Sequence, residues 1–266
     1  MTPLARLEVE LRRLGPLAVA VSGGIDSLTL AQVAHRTTLG TQVFHAVSAA
    51  VPAAASARVH EQAGPRGWDL HQIDAGEFND PAYVANPVDR CFHCKQNLYT
   101  SIRAHTDLTI ASGTNADDLD DYRPGLAAAA DAGVVHPFVR ADIDKTTIRA
   151  IAAEIGLGDL AQLPAAPCLS SRVETGITVE PAALAAIDDV EVALRDQLDA
   201  ATVRCRLRGD RISIELDPAA LEQLTTSDLR RLESEVGTRW RRAGITRPVR
   251  FEPYRRGSAF LHVVSS

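Results

Sequence analysis

A short apolar segment that runs directly into two glycines sets the strongest constraint on this fold. Residues 17–21 are all hydrophobic, and a run of five is too short for a helix but suits a strand buried on both faces. The sequence Ser22-Gly23-Gly24-Ile25-Asp26-Ser27 follows, and residues 28–36 have the composition of a helix. A buried strand, a glycine turn and a helix together predict the first unit of a parallel sheet.

The rest of the chain continues this alternation. Further strands are predicted at 43–47, 70–73 and 108–112, separated by helices near 53–63, 95–104 and 145–155. We therefore expect an α/β fold with a doubly wound parallel sheet over residues 1–165. A linker is predicted at 163–167, and residues 166–266 predict a smaller α+β domain. Its expected helices are 181–198 and 227–243, and its expected strands are 203–207, 211–216, 249–251 and 259–264.

Charge and hydropathy exclude several classes of protein. The formal net charge of −6 argues against binding nucleic acid by neutralising its phosphates. No apolar run approaches the roughly 20 residues that a membrane helix needs. The N-terminal segment mixes charged residues with leucines at helical spacing, unlike a secretory signal. We expect a cytoplasmic protein that binds neither a membrane nor nucleic acid.

The glycine loop has the chemistry of a phosphate site. Glycines let backbone N–H groups approach an anion, and the start of the helix adds a partial positive charge. Ser22 and Ser27 can donate hydrogen bonds, while Asp26 can bind Mg²⁺ or cap the helix. Neither the dinucleotide fingerprint nor the Walker A pattern is present at this loop. An ordinary strand-to-helix turn is the alternative interpretation.

These residues resemble the PP-loop of the N-type ATP pyrophosphatases. Members of that family cleave ATP between its α and β phosphates, adenylate a substrate oxygen and release pyrophosphate. The resemblance implies ATP and Mg²⁺ as cofactors. It implies nucleotide binding by five loop residues: Ser22, Gly23, Gly24, Asp26 and Ser27.

A second loop supports the same site. The sequence Gly113-Thr114-Asn115-Ala116-Asp117-Asp118 follows a predicted strand, and open parallel sheets bind ligands at the carboxyl ends of their strands. We expect Thr114 and Asn115 to contact the nucleotide. Four carboxylates are candidate magnesium ligands, although such a run is also common in solvated turns: Asp117, Asp118, Asp120 and Asp121.

The four cysteines are too few for a disulfide scaffold in a chain of 266 residues. Cys91 and Cys94 form a C-x-x-C, which alone fits a zinc, redox or cluster role. With Cys168 they make three thiolates, a set that leaves one iron of a 4Fe-4S cluster open to an external sulfide. Cys205 alternates with Arg204 and Arg206 on a predicted strand, so we expect it to be a buried core residue.

A closer resemblance extends over nearly the whole chain. Several ordered motifs resemble the LarE family of sulfur transferases, which builds the nickel-pincer nucleotide cofactor of lactate racemase: Asn86-Pro87 to Lys95, Gly113 to Asp118, Tyr122-Arg123-Pro124-Gly125, Pro167 to Arg172, Val203 to Arg206 and Tyr254 to Ser258. The resemblance implies adenylation of pyridinium-3,5-biscarboxylic acid mononucleotide, followed by conversion of each carboxylate to a thiocarboxylate. It also implies a homo-oligomer and a sulfide donor that the sequence does not identify.

Roles for individual residues follow from this resemblance. In one LarE type the cysteine matching Cys168 gives up its own sulfur and becomes dehydroalanine. In the other type three cysteines hold a 4Fe-4S cluster that carries an extra sulfide, and Cys91, Cys94 and Cys168 stand at those positions. The resemblance implies catalytic roles for Asp26, Cys168 and Arg172. We expect three arginines to bind the substrate phosphate and carboxylates: Arg172, Arg204 and Arg206.

Two other functions would also explain the glycine loop and the cysteines. A PP-loop tRNA thiolase would use the same loop and cysteines, and the arginine-rich segment 239–256 fits RNA, although the net charge of −6 does not. A non-enzymatic nucleotide sensor would use the cysteines to report redox state. It would release no pyrophosphate with any substrate.

Overall fold

The described residues form two units in the computed structural model. The structure describes residues 1–119, 124–163 and 167–255. The first unit contains the described parts of Met1–Asp80 and Asp89–Ala166, and the second contains Pro81–Val88 with the described part of Pro167–Ser266. The segment Pro81–Val88 therefore lies inside the sequence range 1–165 but packs with the second unit.

Strands and helices alternate along the first unit, as the sequence predicts. In chain order the elements up to residue 161, of which only α4 belongs to the second unit, are α1 (Pro3–Leu14), β1 (Leu17–Val21), α2 (Ile25–Thr37), β2 (Gln42–Ala46), α3 (Ala53–Arg66), β3 (Asp69–Ile73), α4 (Pro81–Val84), α5 (Arg90–Arg103), β4 (Thr109–Ser112), α6 (Pro124–Asp131), α7 (Pro137–Arg140), α8 (Lys145–Glu154) and α9 (Gly158–Ala161). Each predicted strand of this unit is present, with its ends within one residue of the expected positions.

The sheet of the first unit is parallel throughout, with strand order β3-β2-β1-β4. Alternate residues of β1 enter two different cores because side chains point to opposite faces of a strand. Leu17, Val19 and Val21 pack with residues of α1, α2 and α8, whereas Ala18 and Ala20 pack with residues of α5 and α6. Helices therefore cover both faces, and the predicted α/β class with a parallel sheet is confirmed.

The strand order reverses beside β1. From β1 the chain builds outward through β2 and β3, and β4 then pairs with the other edge of β1, with Val19 opposite Ala111. Crevices at such a reversal, outside the carboxyl ends of the strands, are where open α/β sheets bind ligands. The loops that leave β1 and β4 lie at this point.

The second unit has its own mixed sheet. Its remaining elements are α10 (Pro181–Gln197), β5 (Val203–Leu207), β6 (Ile212–Leu216), α11 (Pro218–Glu222), α12 (Thr226–Arg242) and β7 (Val249–Pro253). The strand order is β5-β6-β7, with β5 antiparallel and β7 parallel to β6. The expected strand at 259–264 and residues 164–166 of the expected linker lie outside the described residues.

No helix in the described ranges has both the length and the apolar character needed to cross a membrane.

Candidate active site

The glycine loop closes on itself between β1 and α2. The Ser27 hydroxyl donates to the carbonyl oxygen of Gly24 at 3.0 Å and accepts from the amide of Ser22 at 3.1 Å. The hydroxyl oxygens of Ser22 and Ser27 lie 3.3 Å apart. The predicted loop residues are therefore brought together, but the Ser27 hydroxyl proton is already donated within the loop.

Gly23 is required by geometry. Its φ of 78° is in the left-handed region. A Cβ at this position would lie 2.4 Å from the carbonyl oxygen of Ala55 on α3. The carbonyl of Gly23 accepts a hydrogen bond of 3.0 Å from Nε of Arg58. The backbone of α3 thus packs directly against the loop, and Arg58, which sequence reasoning missed, fixes the loop carbonyl.

Helix α2 begins without a capping side chain. Gly24 occupies its N-cap position and offers no side-chain acceptor. The first N–H groups of a helix have no partner within the helix, and the helix dipole adds positive potential at this end. An anion is a natural partner for such a helix start, because it satisfies these amides.

The loop after β4 contacts the start of α2. A Cβ on Gly113 would lie 2.9 Å from the amide nitrogen of Ser27, so the two loops are packed backbone to backbone. Asn115 is fully buried. Its Oδ1 accepts from the amide of Asp117 at 3.1 Å, whereas its Nδ2 has no hydrogen-bond partner among the described residues. This leaves a buried amide donor in the loop that packs against the start of α2.

The carboxylates of this loop take part in local hydrogen bonds. Asp118 Oδ2 accepts from the amide of Asn115 at 3.2 Å, and Asp117 Oδ2 accepts from the amide of Lys145 at 3.1 Å. One oxygen of each carboxylate is therefore used to shape the backbone. Asp120 and Asp121 lie outside the described residues. Within 1–119, 124–163 and 167–255, no group of three or more His, Cys, Asp or Glu side chains is placed to hold a metal ion.

Asp26 meets a lysine that the sequence analysis did not assign to the site. Its Oδ2 accepts a charged hydrogen bond of 3.0 Å from Lys145 Nζ. Its Oδ1 is buried and has no hydrogen-bond partner among the described residues. The sequence does mark Lys145 as unusual, since Lys95 and Lys145 are the only lysines among 28 basic residues.

One buried and one half-buried histidine, His45 and His136, support the edge of the sheet. His45 Nδ1 lies 3.0 Å from the carbonyl oxygen of Val21, which can only accept, so Nδ1 carries the proton and Nε2 accepts from the Ser56 hydroxyl at 2.9 Å. His136 Nδ1 lies 2.9 Å from the Ser112 hydroxyl, which is 3.0 Å from that of Thr114. Burial lowers the pKa of both histidines. Both are therefore neutral supports at pH 7.

Cys91 and Cys94 lie on a helix, because the helix expected near 95–104 begins earlier, at Arg90. Helix α5 begins at Arg90, directly after its N-cap Asp89, and contains both cysteines. Residues three apart lie on the same face of a helix. The Cys91 side chain is exposed and Cys94 is half-buried. The helix thus presents two thiols side by side.

In the second unit, Cys168 immediately precedes the short 3₁₀ turn Leu169–Arg172. Its half-buried thiol is in no disulfide. Its carbonyl oxygen accepts from the Ser171 hydroxyl at 2.7 Å and from Arg172 Nη1 at 3.1 Å. These bonds fix the backbone at the cysteine.

Arg172 is buried in an ion pair. Its Nε and Nη2 bind the two oxygens of Glu191 at 3.0 and 3.2 Å. Its Nη1 donates to the carbonyl of Pro167 at 2.7 Å. Glu191 also accepts from Arg195 at 2.6 Å and from the amide of Cys205 at 3.0 Å. All three nitrogens of Arg172 therefore have partners inside the unit, where they hold the Cys168 segment.

The two arginines of β5 have different surroundings. Arg206 is buried, with Nε 2.8 Å from Glu215 Oε2 and Nη1 donating to the carbonyl of Ser171 at 3.2 Å. Arg204 is half-buried, and burial followed by the charge of Arg172 lowers its pKa. Cys205 between them is fully buried, which raises the pKa of its thiol and confirms it as a core residue.

The segment Pro81–Val88 is tied to the loop that follows Cys168. The Tyr83 hydroxyl lies 2.6 Å from that of Ser170. The buried side-chain amide of Asn86 donates to the carbonyls of Glu174 and Ile177 at 2.9 Å each. Sequence reasoning missed Tyr83, because nothing local connects residues 87 positions apart.

The fold and the loop geometry define a class. A four-stranded parallel sheet with a Ser-Gly-Gly-x-Asp-Ser turn at its strand-order reversal has the PP-loop fold of nucleotide-binding α/β enzymes. Comparisons with known proteins narrow this class.

No protein-family model matches the chain. An uncharacterised protein of Synechocystis, slr1717, is 33% identical over 77% of this chain and 78% of its own length. The pyridinium-3,5-bisthiocarboxylic acid mononucleotide synthase of Lactiplantibacillus plantarum is 30% identical over 83% of this chain and 81% of its own length. The chain belongs to the family of this synthase. The expectations of LarE-family membership and of an enzyme are confirmed.

Proposed function

We propose that the chain is an ATP-dependent sulfur transferase that converts the carboxylates of pyridinium-3,5-biscarboxylic acid mononucleotide to thiocarboxylates. Family membership supports the reaction class. The observation that carries the use of ATP is the glycine loop, where Gly23 and Gly113 permit close backbone contacts that a Cβ would obstruct.

The first step is adenylation. A carboxylate oxygen of the substrate attacks the α-phosphorus of ATP, the bond from that phosphorus to the bridging oxygen breaks, and pyrophosphate leaves. Two groups would supply the donors that bind the phosphates: the start of α2, where Gly24 offers no side-chain cap, and Asn115 Nδ2, which has no hydrogen-bond partner among the described residues. Adenylation is needed because a carboxylate resists attack by sulfur until its oxygen becomes part of a good leaving group.

Asp26 fits a role at Mg²⁺. The free ion prefers carboxylate oxygens and usually keeps several waters, so one protein carboxylate beside the phosphates is enough to hold it. Asp26 Oδ1 is such an oxygen, buried and without a hydrogen-bond partner among the described residues. Asp117 and Asp118 each commit one oxygen to a backbone amide, and both are proposed as further ligands. When bound, Mg²⁺ would offset the charge of the leaving pyrophosphate.

The second step transfers sulfur. A sulfur nucleophile attacks the carbonyl carbon of the adenylate. The bond from that carbon to the AMP oxygen breaks, AMP departs, and the product is a thiocarboxylate. Both steps occur once for each carboxylate.

We assign the iron ligands of a 4Fe-4S cluster to three cysteines: Cys91, Cys94 and Cys168. Thiolates are the preferred ligands of such clusters, and three leave one iron open for the transferred sulfide. Cys91 and Cys94 share a helix face.

The three arginines have different proposed roles. Arg172 is proposed as a positioning residue, because its guanidinium holds the carbonyls of Pro167 and Cys168. Arg204 is the candidate for the substrate phosphate, since its half-buried charge is destabilised by burial and would gain from an anion. Arg206 donates to the carbonyl of Ser171 and stays a candidate substrate ligand.

We also propose that the protein is a homo-oligomer. Light scattering of the purified protein tests this proposal.

The product of ATP cleavage tests the function. With the biscarboxylate nucleotide, ATP and Mg²⁺, the protein should form AMP and pyrophosphate, and Asp26→Asn should abolish both. Asp107→Asn, which removes a carboxylate from a different loop of the same unit, is the matched control and should be fully active. ADP as the sole nucleotide product would contradict the proposal.

A further inference from the structure

Helix α3 is linked to two backbone carbonyls at the entrance to the glycine loop. The carbonyl of Val21, at the end of β1, accepts from His45 Nδ1, and Nε2 of the same ring accepts from the Ser56 hydroxyl of α3. The Gly23 carbonyl accepts directly from Nε of Arg58 at 3.0 Å. One carbonyl is therefore held through a histidine and the other by an arginine of α3 itself.

The contact between Arg58 and the loop is built into one face of α3. Residues three apart share a helix face, and Arg58 lies three residues after Ala55, whose carbonyl oxygen would be 2.4 Å from a Cβ at Gly23. The Arg58 side chain is half-buried, which lowers the pKa of its guanidinium, while the charge of Glu61 raises it. A guanidinium keeps its charge in proteins, so the bond to the Gly23 carbonyl is charge-assisted.

This bond fixes a whole peptide unit. A trans peptide is planar, and its C=O and N–H point in opposite directions, so the Gly23 carbonyl and the Gly24 N–H turn together. With the carbonyl held by Arg58, the N–H points away from that side chain. The Gly24 nitrogen lies 3.5 Å from Ser22 Oγ, a weak hydrogen bond that the amide can exchange for a stronger acceptor.

Glycine on both sides makes this peptide unit easy to turn over. Such a rotation changes ψ of the residue before the peptide and φ of the residue after it, and glycine adopts either sign of φ. After the rotation, the Gly23 carbonyl oxygen would stand where the Gly24 N–H had been. An oxygen there repels a phosphate, whereas an N–H binds it.

We propose that Arg58 is a positioning residue for the nucleotide site, which holds the peptide between Gly23 and Gly24 so that the Gly24 N–H donates to a phosphate oxygen. The inference rests on the proposed use of ATP. Arg58 acts through the backbone, because its Nε stays bound to the loop carbonyl. The Gly24 amide then joins the other donors at the start of α2.

Two substitutions of Arg58 separate its hydrogen bond from its charge. Glutamine places an N–H donor the same number of bonds from Cα as the arginine Nε, whereas methionine has a methyl group there. In calorimetric titrations of the full chain with ATP and Mg²⁺, Arg58→Met should weaken binding by about tenfold, the loss expected for one hydrogen bond to a charged group. Arg58→Gln should stay within about twofold of the wild type.

Arg66→Met is the matched control for the loss of charge. Arg66 lies at the other end of α3, where it also donates to backbone carbonyls, those of Gln62 and Gly156. Its replacement should leave the ATP affinity unchanged. Adenosine carries no phosphate, so its affinity, measured by NMR titration, should be the same in the wild type and in all three variants.

The Gly24 amide reports the peptide orientation without any nucleotide. Its signal in ¹⁵N–¹H spectra should shift in Arg58→Met and stay in place in Arg58→Gln. Wild-type ATP affinity in a folded Arg58→Met variant overturns the proposal, as does an equal loss of adenosine binding. Equal weakening of ATP binding by both substitutions also overturns it, because the guanidinium would then act on the phosphates directly.

These outcomes differ from failure of the proposed function. If the wild-type protein releases AMP and pyrophosphate while Arg58→Met binds ATP normally, only the inference about Arg58 fails. If the wild-type protein binds no ATP, the proposed function and this role of Arg58 fail together. Circular dichroism of each variant confirms that it is folded.

Discussion

Replacement of Gly23 by alanine should damage both stability and nucleotide binding, for two separable reasons. The new Cβ would stand 2.4 Å from the Ala55 carbonyl oxygen, and the residue would keep a φ of 78°. A left-handed backbone costs a non-glycine residue about 1–2 kcal/mol, and overpacking costs about 1–3 kcal/mol. The sum predicts that the free energy of unfolding falls by about 2–5 kcal/mol.

Other glycines of the same unit provide the controls. Gly67 has a φ of 65°, and a Cβ added to it would meet nothing within 4 Å, so Gly67→Ala isolates the backbone cost. Gly113→Ala isolates the close approach, because its Cβ would lie 2.9 Å from the Ser27 amide and its φ is not positive.

Urea unfolding and ATP titration give the two readouts. Gly23→Ala and Gly113→Ala should each weaken ATP binding by more than about tenfold, since a loss of about 1.4 kcal/mol in binding already corresponds to that factor. Gly67→Ala should bind ATP normally. The reasoning is refuted if Gly23→Ala costs no more stability than Gly67→Ala and binds ATP as tightly.

Three further results are expected. Glu191→Gln, which leaves the buried Arg172 without its carboxylate, should lower the free energy of unfolding by about 3–5 kcal/mol in urea titrations, whereas loss of an exposed pair such as Arg12 with Glu8 should cost under about 1 kcal/mol. Burial lowers the pKa of His45 in the folded protein below its usual 6.5, so the unfolded chain binds a proton at this residue more readily. The free energy of unfolding should therefore be constant above about pH 6.5 and fall as the pH drops below that value, and His45→Gln should flatten this slope. Serine at any of the three candidate ligands should remove iron and sulfide from anaerobically purified protein and stop multiple turnover, while Cys205→Ser should not; dehydroalanine at residue 168 after turnover, with full single-turnover activity in Cys91→Ser, would reject the cluster in favour of a sacrificial cysteine.

The parts of this protein that the sequence predicts are those set by local pattern. Residues 17–21 are apolar without interruption, and a strand with five buried residues is what the structure has. The turn of the glycine loop follows from its own residues, because the hydrogen bonds among Ser22, Gly24 and Ser27 join positions at most five apart. Cys205 is buried as its alternation with two arginines predicts.

The parts that sequence reasoning missed depend on distant partners. The ion pair of Arg172 could not be predicted locally, because its carboxylate partner, Glu191, lies 19 residues further along the chain. Lys145 reaches Asp26 across 119 residues. The helix that contains Cys91 begins before the predicted residue 95. The pair Asn86-Pro87 is typical of a loop, whereas Asp89 already occupies the N-cap position.

The path of the chain through Pro81–Val88 limits how this enzyme can be divided or recombined. The polypeptide enters the second unit at residue 81, leaves it after 88 and returns at 167. A fragment that ends at residue 165 would carry Tyr83 and Asn86 without Ser170, Glu174 and Ile177, so a buried hydroxyl and a buried amide would lose these partners. Neither unit can therefore be replaced by that of a relative through a gene fusion with a single junction. A working chimera must take residues 81–88 and everything after 166 from the same parent.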